Sequence, residues 1–206
     1  MDGTLLDTER LHCEAHRRFL ATVGIVPTEA ELVGNIGKGD VTFYEEYIRR
    51  HGMTGDPVAW LEEKTRLLIG IYREQGVRLN PGAEALLEQA WSLGITCLIV
   101  TSSERQLAAA ALEASGLAQR LPLRVAREDT IRHKPHPEPY LLACQRLSLP
   151  AGSCLVIEDS PSGVAAGHTA GCPVAALTGH FDAARLRAAG AQQVVARLDE
   201  LLPLAS

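Results

Sequence analysis

The sequence lacks the features that would indicate a membrane or nucleic-acid partner. No apolar run approaches the ~20 residues of a membrane span, and no basic stretch followed by an apolar segment marks a signal peptide near Met1. The net charge is -5, and no basic stripe offers a surface for nucleic acid or an anionic membrane. We therefore expect a cytoplasmic protein with neither kind of partner.

The sequence also lacks the cysteine spacing of a disulfide framework or a zinc site. Its five cysteines are odd in number and form no CxxC pair. Cys97 and Cys154 lie inside apolar runs. Buried, reduced thiols are the expected state.

What the sequence does contain is the composition of a folded globular chain. Hydrophobic residues make up 46% and charged residues 22% of its 206 positions. Residues 9–75 have helical periodicity, with an apolar stripe from Leu11 to Val23. The boundary signals are a stop at Gly24, a capping box from Thr28 to Glu31, and Asp56 as N-cap before Pro57.

From residue 78 onward, predicted helices alternate with short apolar strands. The strands are expected at 95–101, 121–126, 154–159, 172–177 and 192–196, and the helices at 81–94, 104–116, 136–149, 162–171, 182–190 and 198–204. Apolar strands that alternate with helices favour a parallel sheet covered on both faces, an α/β fold. Ligands of such sheets bind beyond the carboxyl ends of the strands.

Hydroxyl groups follow the first of these strands, at Thr101, Ser102 and Ser103. Together with backbone N–H groups at the start of the next helix, they could bind an anion. Alternatively, Thr101 or Ser102 caps that helix.

A lysine lies in a proline-rich segment before the helix at 136–149. Lys134 precedes Pro135, which disfavours helical geometry at the lysine. A rigidly mounted lysine can neutralise a phosphate or crowded carboxylates. The alternative is a basic loop in solvent.

Two adjacent acids, Glu158 and Asp159, end another apolar strand. Buried acids are costly unless they are compensated, and magnesium prefers such oxygen ligands. Asp159 or Ser160 could instead cap the following helix, which would explain one acid and not both. A hydroxyl, a lysine and an acidic pair on one rim suit phosphoryl transfer.

The motifs in this order resemble those of the haloacid dehalogenase superfamily of phosphohydrolases. The closer resemblance is to β-phosphoglucomutase-like and phosphoglycolate-phosphatase-like members, which have a helical cap inserted after the first motif. The matching segments are DGTLLDTE from Asp2, the Thr101–Ser103 segment, KPHPEPY from Lys134 and EDSPSG from Glu158. The resemblance covers essentially the whole chain. It implies a Rossmann-like core over 1–10 and 78–206 and a helical cap over 11–77.

The resemblance also implies roles for individual residues. Asp2 would be the acid that protonates the leaving alcohol and later activates water, and Gly3 and Thr4 would allow close approach to the phosphate. Thr101 and Ser102 would bind the phosphoryl group, and Lys134 would bridge phosphate and nucleophile. The implied magnesium ligands are Asp2, Glu158 and Asp159. Thr8 and His12 match positions that face the substrate or the hinge. Alternatively, Thr8 caps the first helix and His12 lies on its outer face.

The first motif departs from the family pattern, which is Asp-x-Asp-Gly. The first Asp of that pattern is the nucleophile, and its place would directly precede Met1, as would the strand that carries it. We expect a start codon placed too far downstream rather than a degraded, non-catalytic copy. As written, the chain is expected to be inactive, since the covalent route requires that nucleophile.

The resemblance implies a magnesium-dependent phosphatase that acts on a small phosphorylated metabolite, most simply a sugar phosphate. A β-phosphoglucomutase is the second hypothesis, for which Lys38, Lys64 and Arg66 are candidate grips for a second phosphate. A non-catalytic protein that binds a phosphometabolite or a partner is the third. Substrate specificity would lie in the cap, where residues such as Lys38, Tyr44 and Trp60 could equally serve packing or face solvent. The sequence leaves open whether the protein is a monomer or a homodimer.

Overall fold

The computed structural model describes residues 1–34 and 40–203 and divides the chain into two compact units. The core unit consists of Met1–Asp7 and the chain from Val77 onward, and the helical unit is Thr8–Gly76. Lys38 lies outside the described residues. None of the described helices is both long and apolar enough to cross a membrane.

The helical unit contains four described helices: α1 (Glu9–Thr22), α2 (Glu29–Val33), α3 (Asp40–Arg50) and α4 (Pro57–Gln75). Two predicted helix starts are confirmed. Thr28 and Glu31 form a reciprocal capping box, and the Asp56 side chain accepts a hydrogen bond from the Val58 N–H before the helix that Pro57 opens. These caps satisfy N–H groups that the first turn leaves without helical partners.

Aromatic side chains form the core of the helical unit. Tyr44 is fully buried and Trp60 is 8% exposed, and both rings contact Phe19 edge-on. Edge-to-face contacts of this kind are favourable for aromatic pairs. Tyr44 and Trp60 therefore serve packing within this unit.

The core unit contains the strands and the remaining helices. A short antiparallel ribbon pairs β1 (Leu6–Asp7) with β2 (Arg78–Leu79). The other strands are β3 (Ile99–Val100), β4 (Leu123–Val125), β5 (Val156–Glu158), β6 (Val174–Leu177) and β7 (Gln193–Val195), and the helices are α5 (Ala83–Ser92), α6 (Arg105–Ala114), α7 (Glu138–Leu147), α8 (Pro161–Thr169) and α9 (Ala183–Ala188). Every pair among β3 to β7 is parallel, which confirms the predicted α/β class.

The parallel strands form two separate pieces. β3 pairs with β4, and β5, β6 and β7 follow one another in the second piece. Within the described ranges, no strand ladder joins β3 to β5. The inner side of the β5–β7 piece packs on a core that includes Tyr140, Val164 and Leu186.

Three details of the prediction are wrong. The expected helix at 198–204 is a short 3-10 helix, Leu198–Leu201, because Pro203 disfavours helical geometry at the residue before it. The strand expected at 95–101 is paired only at Ile99–Val100, since its neighbour β4 is short. The β1–β2 ribbon was not predicted.

The expectation of buried thiols holds for two of the five cysteines, Cys144 and Cys172. All five cysteines are described, and all are free thiols. Cys144 and Cys172 are buried with their Sγ atoms 4.0 Å apart, whereas Cys97 and Cys154 are only half-buried. Burial raises the pKa of each of these four thiols, which disfavours the reactive thiolate.

Asp129 anchors the segment between β4 and α7. Its carboxylate accepts a hydrogen bond from the Ala126 N–H at 2.7 Å and forms ion pairs with Arg146 at 2.8 Å and Arg105 at 2.6 Å. The Ala126 amide and then Arg146 lower the pKa of Asp129 to about 2 from an ordinary 3.8. Ionised Asp129 therefore stabilises the fold.

Replacing Asp129 by Asn is expected to lower the free energy of unfolding by about 1–2 kcal/mol at pH 7, after allowance for solvent screening. Because the folded-state pKa of Asp129 is lowered, its stabilisation is present above pH 3.8 and is lost as the pH falls towards 2. Denaturant unfolding at pH 7 and near pH 3 would measure the difference in unfolding free energy between the parent and Asp129→Asn, which should be smaller at the lower pH. The matched control is Asp7→Asn at an exposed aspartate; equal effects of the two variants would contradict the prediction.

Candidate active site

The first seven residues form a tight loop that Asn80 fixes. The Met1 carbonyl accepts hydrogen bonds from the N–H groups of Leu5 and Leu6. The Asn80 side-chain amide donates to the carbonyls of Gly3 at 2.7 Å and Thr4 at 2.9 Å. Two carbonyls that the turn leaves without strand partners are therefore satisfied, and the loop is held beside β2.

Gly3 brings this loop into contact with the acidic pair. Its φ is +68°, and a Cβ built on it would lie 2.3 Å from Asp159 Oδ2, so a side chain is excluded on two grounds. The Thr4 hydroxyl donates to Asp159 Oδ1 at 2.5 Å. Two segments more than 150 residues apart in the chain thus meet at the Asp159 carboxylate.

The hydroxyl segment after β3 reaches the same loop. The Ser103 hydroxyl donates to Asp2 Oδ2 at 2.7 Å, and the Ser103 N–H donates to Thr101 Oγ1 at 3.1 Å. Thr101 is buried and Ser102 is exposed. Neither caps the next helix, because α6 begins at Arg105, whose N–H donates to the Glu128 carboxylate. The capping alternative for these hydroxyls is therefore wrong.

Lys134 lies at the carboxyl ends of both parallel pieces. Its Nζ donates to the Val100 carbonyl of β3 at 3.1 Å and to Glu158 Oε1 of β5 at 2.5 Å. The Lys134 side chain is 8% exposed, so the alternative of a basic loop in solvent is wrong. Removing one partner of such a buried pair costs about 3–5 kcal/mol, since it leaves a buried charge uncompensated.

Glu138 holds the segment that carries Lys134. Its carboxylate accepts hydrogen bonds from the N–H groups of Ile131 and Arg132 and forms an ion pair with the Arg132 side chain at 3.0 Å. The Glu138 N–H in turn donates to His136 Nδ1. Hydrogen bonds from the Ile131 amide, and then from Arg132, lower the pKa of Glu138. The lysine is thus mounted on a closed, hydrogen-bonded turn.

Glu158 is 4% exposed, and both of its carboxylate oxygens are engaged. Besides Lys134, Oε1 accepts a hydrogen bond from the Tyr140 hydroxyl at 2.7 Å. Oε2 accepts from the Asp159 N–H and from the N–H and hydroxyl of Ser160. Burial is the largest single influence and opposes ionisation. The Lys134 ammonium, the positive N-terminus and the hydrogen bonds from Lys134 and Tyr140 together outweigh it and hold the pKa of Glu158 well below its usual range.

The negative charge of Asp159 is compensated less fully than that of Glu158. Among the described residues it forms no ion pair, and Thr4 is its hydrogen-bond donor. Burial, and then the charge of Glu158, raise the pKa of Asp159 to about 6. The cap of α8 is the Ser160 side chain, which accepts from the Gly163 N–H at 3.0 Å, so capping explains neither acid.

A hard divalent cation fits this arrangement at Asp159. A cation would offset both the burial of the Asp159 carboxylate and the neighbouring charge of Glu158, the two causes of its raised pKa. Magnesium prefers carboxylate and carbonyl oxygens and keeps several waters. Within residues 1–34 and 40–203, no three His, Cys, Asp or Glu side chains are arranged to hold a metal ion. A site at Asp159 would therefore also use backbone or water oxygens. The roles of Asp2 and Glu158 as ligands stay predictions.

Thr8 and His12 lie in the helical unit. The Thr8 side chain makes no capping hydrogen bond at the start of α1. His12 is half-buried, with Nδ1 3.1 Å from Lys64 Nζ and Nε2 3.2 Å from the Tyr72 hydroxyl. Arg66 is paired with Glu63 on the surface of α4. The substrate-facing roles of Thr8 and His12 stay predictions.

The individual roles of three contributors were not identified from the sequence. Asn80 precedes a proline and reads as a turn residue, Ser103 reads as one of several hydroxyls, and Tyr140 falls at an apolar position of α7. A polar hydroxyl on the buried face of a helix was the available signal for Tyr140, because buried tyrosines need a hydrogen-bond partner.

The family model for haloacid dehalogenase-like hydrolases matches residues 1–177. The chain therefore belongs to this family, and the fold class predicted from its motifs is confirmed.

The chain is similar to hexitol phosphatase A of Escherichia coli (strain K12), which is 36% identical over 188 residues, 90% of this chain and 84% of that protein. Phosphoglycolate phosphatase of Yersinia pseudotuberculosis is 30% identical over 209 residues, 98% of this chain and 89% of that protein. A solved structure of a Thermotoga maritima protein, proposed to be a β-phosphoglucomutase, has a TM-score of 0.83 at 28% identity and covers 98% of this chain and 94% of that chain.

Proposed function

We propose that this protein is a magnesium-dependent phosphatase that hydrolyses a phosphoric monoester of a small metabolite, most simply a sugar or polyol phosphate. The observation that carries the proposal is one connected set of groups in the core unit. Ser103 contacts Asp2, Thr4 contacts Asp159, and Glu158 contacts Lys134. An acid, hydroxyls, a lysine and a buried carboxylate suit phosphoryl transfer, in which catalysis is mostly positioning and charge stabilisation.

Asp2 is the proposed general acid and base. It would give a proton to the leaving alcohol and then accept one from the attacking water. The Ser103 hydroxyl, which donates to Asp2 Oδ2, fixes the orientation of the carboxylate. A carboxyl held in this way can act in both half-reactions without moving.

Lys134 and the Thr101–Ser103 segment would bind the phosphoryl group. Of the three N–H donors of Lys134, the described residues use two, at Val100 and Glu158, which leaves one for a phosphate oxygen. The Thr101 hydroxyl and the Ser102 N–H are the proposed donors on the other side. Together they would offset the charge that develops on the phosphoryl oxygens.

Asp159 and the Asp2 carbonyl would hold magnesium, which supplies charge stabilisation to the phosphoryl group when it is bound. The nucleophile in this proposal is an Asp whose position precedes Met1, and it would form an aspartyl-phosphate that water then hydrolyses. The helical unit would act as a cap that excludes water from the site.

The substrate class rests on the relatives named above, which are phosphatases of a hexitol phosphate and of phosphoglycolate by name. The test is a phosphate-release assay of the chain extended before Met1 so that an Asp directly precedes Met1. Its substrates are polyol phosphates, sugar phosphates and phosphoglycolate. We expect release that needs magnesium and stops with a chelator. Conversion of glucose 1-phosphate to glucose 6-phosphate without phosphate release would favour the mutase hypothesis instead. Phosphate binding without turnover of any substrate would favour the non-catalytic one.

A further inference from the structure

Tyr140 connects the hydrophobic core of the core unit to the candidate active site. Its side chain belongs to the core cluster around Val164 and Leu186 and is 6% exposed. Its hydroxyl donates to Glu158 Oε1 at 2.7 Å. A rigid ring packed in the core therefore ends at the carboxylate that pairs with Lys134.

Tyr140 contacts both members of that ion pair. Oε1, the oxygen that accepts from the tyrosine, also accepts from Lys134 Nζ at 2.5 Å. The same ammonium lies 4.8 Å from the centre of the Tyr140 ring, within the range of a cation–π contact. Lys134 is thus bounded by the tyrosine face, the Glu158 carboxylate and the Val100 carbonyl.

The two Glu158 oxygens differ in what orients them. Three donors from Asp159 and Ser160, all in the same local turn, hold Oε2. Oε1 has Tyr140 and Lys134 alone among the described residues. Without the tyrosine hydroxyl, Lys134 would be the remaining donor to Oε1 among the described residues. Because Lys134 is the group that Oε1 is expected to position, Oε1 would then have no independent anchor.

We propose that Tyr140 is a positioning residue that fixes Glu158 Oε1 and thereby places the Lys134 ammonium for binding a phosphoryl group. This inference rests on the proposed function for the identity of the ligand. Its geometric part, that the tyrosine hydroxyl fixes the lysine, is independent of any ligand. The two parts are therefore tested by separate measurements.

The test compares Tyr140→Phe with Tyr47→Phe. Tyr47 is a matched control because it is similarly buried, at 2% exposed, and its ring packs in the core of the helical unit. Inorganic phosphate is titrated into each variant in the presence of magnesium, by calorimetry. We expect Tyr140→Phe to raise the Kd for phosphate roughly tenfold, the size of effect typical of a partner that orients a binding group, and Tyr47→Phe to leave it unchanged.

The second measurement follows the Lys134 side chain without a ligand. In 1H–15N spectra, the Lys134 ammonium signal is assigned by its loss in Lys134→Arg. We expect this signal to shift or broaden in Tyr140→Phe and to stay in place in Tyr47→Phe. A merely structural role of Tyr140 would lower the unfolding temperature without this change.

The outcomes separate the inference about Tyr140 from the proposed function. An unchanged ammonium signal, or a phosphate Kd equal to that of the parent, would overturn the proposed role of Tyr140. A parent chain that binds no phosphate would contradict the proposed function, and the ammonium signal alone would then decide whether Tyr140 positions Lys134.

Discussion

An aspartate placed directly before Met1, at the end of an apolar extension of about six residues, is expected to raise the rate of phosphate release at least about a thousandfold over that of the 206-residue chain. The aspartate would supply the oxygen nucleophile of the covalent route. The remaining groups of that route, Asp2, Lys134 and Asp159, already lie within one connected set of contacts. The measurement is phosphate release from a polyol phosphate under saturating magnesium.

Such a strand is expected to pair with β3 and β5, which no strand ladder joins within the described residues. Within the described residues, β3 pairs only with β4, and β5 only with β6. Val100 and Ile157 on these strands are half-buried, and Leu155 is 51% exposed. An apolar strand inserted here would pair open backbone groups and cover apolar side chains, so a rise in unfolding temperature should accompany the gain in activity.

The matched control for this prediction is the same extension with Asn in place of the aspartate. It should give the same rise in unfolding temperature and no gain in phosphate release, because Asn fills the strand without supplying a nucleophile. Equal activity of the Asp and Asn extensions would contradict the covalent mechanism. Equal activity of the extended and the 206-residue chains would contradict the position assigned to the nucleophile.

Local signals explain why most elements of the fold could be predicted. The capping box at Thr28 and the N-cap at Asp56 depend on residues within one helical turn, so the sequence contains all the information they need. The β1–β2 ribbon depends on pairing between Leu6 and Leu79, which are far apart in sequence. Each strand of the ribbon is only two residues long. A strand this short has no periodicity to detect, so it could not be predicted.

The candidate site was likewise predictable from the sequence only in part. The sequence places Lys134 and Asp159 after predicted strands, and the fold rule for parallel sheets brings them to one rim. Which hydrogen bonds they make there depends on side-chain packing. The pairing of Glu158 with Lys134, and the anchoring of Glu158 by Tyr140, arise from three segments that meet only in the folded unit.

Replacing Asp2 by Asn in the chain with the filled nucleophile position should lower kcat for a sugar or polyol phosphate by about 10²–10⁴-fold. Asn cannot give a proton to the leaving alcohol or accept one from water. It can still accept a hydrogen bond from the Ser103 hydroxyl, which contacts Asp2 Oδ2 at 2.7 Å, so the loop geometry should be kept. The measurement is steady-state phosphate release at saturating substrate.

The identity of the leaving group separates the two proton transfers assigned to Asp2. p-Nitrophenolate leaves without a proton, so with p-nitrophenyl phosphate the first half-reaction should survive in Asp2→Asn. Hydrolysis of the aspartyl-phosphate still needs a base, so it should remain slow. We therefore expect a burst of p-nitrophenol equal to the enzyme present, followed by slow turnover and an intact mass heavier by one phosphoryl group. Asp7→Asn, at the exposed aspartate of β1, is the control and should show neither effect. A uniform loss of activity on both substrates, with no burst, would mean that Asp2 contributes to binding or folding and that the proton transfers belong to another group.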